Sequence, residues 1–284
     1  MITNNNISPL PWYTTLSEQN HRLSYSYGEV YPLFTQANTL LPFQVIREHR
    51  AAGIQSVLLY RKDGTLVGNI TSRMVGLTIK SFAQYGYDVI VFGGALPVMD
   101  NQLSGQYYAV MTDGVQTWYS EVWTAVQDTT PYLRIEWYDY EDFVFDGGRI
   151  CYEGGGYKNV LYFAAEIGKP DYTFNEEGET RDGLFFPEKQ LSEKTYNCML
   201  LAPEYLCDVM RFIRMADVVN IRDKYGRVYH CDTFLITPKW ETQGNLAQVE
   251  VEFQTDTVAK KIGLAFAPAG GDFNNDYNDD FNNQ

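Results

Sequence analysis

Basic residues are scarce in this chain. Lys and Arg number 22 against 36 Asp and Glu in 284 residues, which leaves a net charge of −14. Nucleic-acid binding draws most of its affinity from clustered cations that neutralise phosphates, and no basic stripe occurs here. Nucleic acid is therefore set aside as a partner, and the acidity reads as a source of solubility. The four cysteines (Cys151, Cys198, Cys207 and Cys231) form no CxxC pair, and the three histidines (His21, His49 and His230) are scattered. That pattern lacks the ligand spacing of a zinc site. His230 and Cys231 are adjacent, so as strand neighbours they face opposite ways. The thiols read as buried and free. No Walker loop, GxGxxG or GxSxG is present, and the glycine pairs at Gly93-Gly94, Gly147-Gly148 and Gly154–Gly156 lack the Lys or helix start that cradles phosphate. No cofactor is expected, and none of the histidines lies in a nucleophilic motif. No apolar run approaches the length of a membrane span. The start of the chain has no basic and then apolar leader, so the reading expects a soluble protein made in a cytoplasm.

Aromatic residues, by contrast, are plentiful at 15%, led by 22 Tyr. Tyrosine suits strands and half-wet surfaces, because its ring buries while its hydroxyl finds a partner. Residues 1–20 read as an arm, in which prolines 9 and 11 prevent ladder pairing while Trp12 and Tyr13 seek burial, against their own domain or a neighbouring subunit. From about residue 40, short strand signals recur with turns between them. Lys62-Asp63-Gly64 and Asp113-Gly114 sit between apolar runs, as tight hairpins require. Leu133–Trp137 alternates cleanly. Strands at this spacing predict a sandwich, and the piece from Gly105 to Val126 resembles the last hairpin of an immunoglobulin-like or fibronectin-type module. Tyr25, Tyr27, Tyr31, Tyr107, Tyr108, Trp118 and Tyr119 are candidates for stacking on carbohydrate. Cross-strand packing is the competing and favoured use of such rings.

The second half carries one helix. Pro203 stands where a first helical turn tolerates it. Leu206, Val209, Met210, Ile213 and Ala216 then fall on one face, which predicts a helix over 203–217. A hairpin turning at Lys224-Tyr225-Gly226 follows. In Gln248–Gln254, Val249, Val251 and Phe253 alternate with acidic and polar neighbours, so one face is buried and one wet. Asn175–Gly183 reads as a charged loop. The expected boundaries are an arm at 1–20, a β-sandwich over 21–145, a second β domain over 146–264 and a tail over 265–284. The tail is acidic and Asn-rich, which predicts disorder. Its Phe273, Tyr277 and Phe281 recur every four residues, as a docking motif would. Its Asp272–Asn283 stretch fails as an EF-hand, since Tyr277 and Asn283 stand where Gly and Glu are needed. Loose acid pairs such as Glu136 with Asp139 are expected by chance in so acidic a chain. A glycan-degrading enzyme is the least favoured reading.

Three runs carry a resemblance: Glu166–Pro170, Phe186–Tyr196 and Ala202–Asp208, supported by Asn20–Arg22, Tyr31–Phe34 and Leu41–Phe43. They look like uncharacterised proteins from the tail-gene regions of phages and prophages of Bacteroides-type bacteria. The resemblance implies a virion-tail context and, for 146–264, a tail-tube-like β-sandwich with one flanking helix. It brings no residue-level motif. The expected function is a structural protein of the distal tail or baseplate, not an enzyme. Its partners would be copies of itself in a ring and other tail proteins. The candidate interaction residues are Trp12, Tyr13, Tyr107, Trp118, Phe273, Tyr277 and Phe281. The alternative is a host-recognition protein that binds a surface glycan.

Overall fold

The computed structural model describes residues 8–15, 33–94, 104–140, 143–145, 149–151, 157–241 and 246–261. The protein is mainly β, as its alternating aromatic segments require. The first half contributes β1 (Trp12–Tyr13), β2 (Leu33–Gln36), β3 (Phe43–Glu48), β4 (Ser56–Arg61), β5 (Leu66–Asn69), β6 (Thr78–Phe82), β7 (Tyr87–Phe92), β8 (Gly105–Thr112), β9 (Thr117–Ser120) and β10 (Trp123–Val126). Strand β8 is the hub of a seven-stranded sheet. It pairs with β4 along one edge and with β9 and β10 in succession along the other. The switch from β9 to β10 leaves one extra residue opposite β8, the signature of a bulge. Ser120 Oγ fills the gap by accepting from the Ala109 N–H at 2.8 Å. Both expected hairpins form. Gly64 and Gly114 take φ of +85° and +87°, values that glycine reaches without strain.

Strands β3, β7 and β6 make a second sheet, in which β3 and β7 are buried on both sides while the edge strand β6 is partly exposed. Phe43, Val45, Ile90 and Phe92 join the main core, where Trp12 meets Phe43 at 4.8 Å. On the other face, Ile46, Tyr87, Val89 and Val91 gather around Tyr157. A buried charge cluster ties the two sheets together. Arg47 on β3 donates to Asp113 in the β8–β9 turn at 2.6 Å and to Asp88 on β7 at 3.3 Å. The same Asp113 accepts the N–H groups of Val115 and Gln116, so one carboxylate both closes a turn and fastens a neighbouring sheet.

The second half adds β11 (Leu133–Tyr138), β12 (Phe143–Phe145), β13 (Arg149–Cys151), β14 (Asn159–Phe163), β15 (Asp171–Arg181), β16 (Leu184–Pro203), the helix Glu204–Met210, β17 (Val218–Arg222), β18 (Val228–His230), β19 (Thr233–Trp240) and β20 (Leu246–Lys261). Strand β11 pairs with β14 on one side and β17 on the other. It was expected to close the first domain, but it stands in the middle of a sheet built from the second half. A single core also runs from Leu10 to Phe253. Pairing and packing therefore cross the boundary expected at residue 145.

The helix is shorter than its apolar pattern implied. Arg211 still bonds back to Cys207, but Phe212 bonds to Val209, and a 3-10 turn at Ile213–Met215 follows. The tighter winding brings Phe212 inward beside Leu206, Val209, Met210 and Ile213, all of them buried. Ala216 is already extended. The hairpin at Lys224-Tyr225-Gly226 is present, held by Asp223, whose carboxylate accepts from the N–H groups of Tyr225 and Arg227.

Candidate functional site

One sheet runs in the order β15-β16-β20-β19. Its residues alternate between two faces, as a pleated strand dictates. Over the body of the protein the inner face is buried. Tyr196 stacks on Phe253 at 5.4 Å, and Phe234, Cys198, Val251, Leu200 and Val249 continue the stripe. The strands do not stop where the core stops. β15, the first half of β16 and the end of β20 carry on as a three-stranded arm. Strand β15 alone has 11 residues, about 35 Å at the usual rise.

The inner stripe continues along the arm without a cover. In register, Tyr172 lies opposite Lys194, and Phe174 opposite Ser192, which in turn faces Val258. Tyr172 is 72% exposed, Phe174 61% and Val258 64%. At the far end, the turn at Asp182-Gly183 is followed by Leu184, Phe185 and Phe186, all exposed. These exposed apolar residues fall in two groups, Tyr172, Phe174 and Val258 near the body and Leu184–Phe186 at the tip, with Glu176, Glu177, Lys189 and Gln190 between them. Polar cross-strand links stiffen the arm. Gln190 donates to Glu176 at 2.7 Å, and Thr173 donates to Glu193 at 3.1 Å. A register shift between Glu177 and Gly178 bends it. A Cβ at Gly178 would collide with the Phe186 carbonyl oxygen and lie 2.8 Å from Pro187 Cα, so the bend needs glycine.

The arm was expected to be a charged loop over Asn175–Gly183. Its Glu-rich composition suits a loop, but pairing with Leu184–Thr195 extends it into a strand. The four described residues expected at an interaction surface are elsewhere. Trp12, Tyr13, Tyr107 and Trp118 are all buried within the chain. Tyr13 donates to Glu121 at 2.9 Å, and Tyr107 sits 6.4 Å from Trp123. The cause is alternation. Within each neighbouring pair, Tyr107 and Trp118 take the inward positions, while Tyr108 and Tyr119 take the half-open ones. Tyr108 stacks on Tyr60 at 5.3 Å and 12°, and its burial, with Tyr60 beside it, pushes its phenol up. The arm residues 1–20 are described only at 8–15, and there they pack on the chain's own body through β1 against β9. Phe273, Tyr277 and Phe281 lie outside the described residues.

Among the described residues, side chains that could do chemistry also meet on the second sheet. Ser81, His49 and Asp88 lie together, a set that can build a nucleophile in other proteins. Here Ser81 Oγ and Asp88 Oδ1 both approach the same nitrogen, His49 Nδ1, at 3.2 and 2.8 Å. A base must take the nucleophile's proton on one nitrogen while the carboxylate holds the other, so this arrangement cannot run that relay. Burial pushes Asp88 up, but hydrogen bonds from His49, the Arg50 N–H and Ser81 outweigh it and hold the carboxyl below its ordinary value. Burial raises the thiols of Cys198 and Cys231 to about 12 and that of Cys207 to about 11, which leaves them protonated and unreactive near neutral pH. Among the described residues no group of three or more His, Cys, Asp or Glu side chains could hold a metal ion. Among them, too, no helix is long and apolar enough to cross a membrane.

No protein-family model, no curated protein and no solved structure matches this chain.

Proposed function

We propose that this chain is a structural protein of a tailed-bacteriophage virion that builds a ring at the distal tail or baseplate by self-assembly. The observation that carries self-assembly is the three-stranded arm, with Tyr172, Phe174, Leu184, Phe185, Phe186 and Val258 uncovered. Such an arm gains nothing for the isolated chain, since exposed aromatics and a long outer strand invite association. In an assembly the same features become the joint. The phage context rests on the resemblance of the sequence runs at 166–170, 186–196 and 202–208, the second of which forms most of the arm's middle strand. Other tail proteins would bind above and below the ring.

Imaging of the purified full-length protein in negative stain tests this reading. Closed rings of one size are expected, and dispersed monomers at assembly concentrations would overturn it. Removing residues 1–20 is a poor probe of assembly, because Leu10 and Trp12 are buried in the chain's own core and their loss acts first on folding.

A further inference from the structure

We infer that the arm's inner face docks on the outer face of the same sheet in the next copy of the chain. The inference rests on the self-assembly reading and names the surface that receives the arm. Two uncovered apolar patches lie on opposite faces of one sheet. The arm patch is Tyr172, Phe174 and Val258, all on the inner face by register. The second patch is Met199, Leu201 and Leu235, which point outward over the body, where Asn197 pairs with Glu252 and Glu252 with Leu235. These three are 43%, 54% and 37% exposed.

Charge selects this pairing over others. On the arm's inner face, Lys194 and Lys260 flank the apolar patch in register, Lys194 beside Tyr172 and Lys260 across from Gln190; Glu176 shares the face opposite Gln190, and Lys194 has an exposed acid, Asp256, at 3.9 Å. On the receiving face, Glu250 and Glu252 run down the central strand between the apolar residues. Glu250 already meets Lys239 at 3.0 Å, an exposed pair that exchanges partners at little cost. Stacking one patch on the other sets Lys against Glu and apolar against apolar.

The contact joins two different patches, so it is heterologous, and its repetition closes into a ring or runs on as a filament. Sheets stacked in this manner lie about 10 Å apart.

The test places a photo-cross-linking amino acid at Phe174 in the full-length chain, mixed with isotope-labelled wild-type protein. The expected product joins residue 174 to 197–201 or 233–239 of the labelled copy. A product joining 174 to 262–284 of the same chain would mean that the chain's own tail covers the arm, and it would overturn the inference. Products elsewhere on the labelled copy would overturn it as well. Absence of any oligomer in light scattering of the wild-type protein would instead remove the self-assembly reading beneath it. Charge reversal supplies a second readout. Lys194→Glu with Lys260→Glu raises the assembly midpoint about tenfold, as does Glu250→Lys with Glu252→Lys, and the four changes together restore it. Equal midpoints in all four proteins would contradict the inference.

Discussion

The body and the arm of the β15-β16-β20-β19 sheet share strands β16 and β20 and the same alternation, yet one is the core and the other is bare. The covered stripe ends at Tyr196 on β16 and at Thr255 on β20, and Phe174, opposite Ser192 four residues beyond Tyr196 on β16, lies in the open. At the rise of a strand those four residues span roughly 13 Å. Amphipathic alternation therefore says which face wants a cover. It does not say whether that cover comes from the same chain.

The difference can be broken first at its buried end. Phe253→Ala removes a fully buried ring from the body and is expected to cost about 3–5 kcal/mol, read from urea unfolding. A loss under about 1 kcal/mol would mean that the body is not packed as described. Asp113→Asn comes next. It leaves the buried Arg47 guanidinium without its closest charge, at a cost of about 3 kcal/mol.

The same carboxylates set the acid limit. Burial pushes Asp113 up, but the N–H groups of Gln116 and Val115, with Arg47 and Arg50, hold it below its ordinary value. Asp88 and Asp223 are lowered in the same net direction. A carboxylate lowered by folding contributes stability above its unfolded value, about pH 3.9, and loses it as pH falls through the folded one. Thermal stability should thus drop steeply below about pH 4, and less steeply in Asp113→Asn. A melting temperature that is flat from pH 6 to pH 3 would contradict this.

Changes in the arm have smaller effects on folding and larger ones on association. Gly178→Ala collides with the Phe186 and Pro187 backbone, so the outer arm should unpair and become sensitive to protease while the body keeps its melting temperature. Phe174→Ser is the smallest of the series. It should change unfolding by less than about 0.5 kcal/mol and still weaken assembly, as seen by sedimentation.

The sequence made parts of this fold legible. The alternation of Val249, Val251 and Phe253, the Asp-Gly turns and the apolar helical face around Leu206 were readable because local chemistry alone decides them. Three features were hidden because distant partners decide them. Whether Tyr107 or Tyr108 faces the core depends on register with β4 and β10. Leu133–Tyr138 alternates like any strand, and only its pairing with β14 and β17 places it in a sheet built from the second half. Asn175–Gly183 has the composition of a loop, and Leu184–Thr195 draws it into a strand. Tyr172, Phe174 and Val258 form a surface only once that pairing exists, so no local signal in the sequence marks them as a site.

Hydrogen exchange of the full-length protein, measured at low and at assembly concentration, tests the arm's role most directly. Amides of β11 and of β20 between residues 247 and 253 should be protected at both concentrations. Amides of β15 should exchange freely in the dilute protein and slow by more than about tenfold on assembly. Equal exchange in β15 at the two concentrations, in a sample that does assemble, would contradict the claim that the arm is the joint.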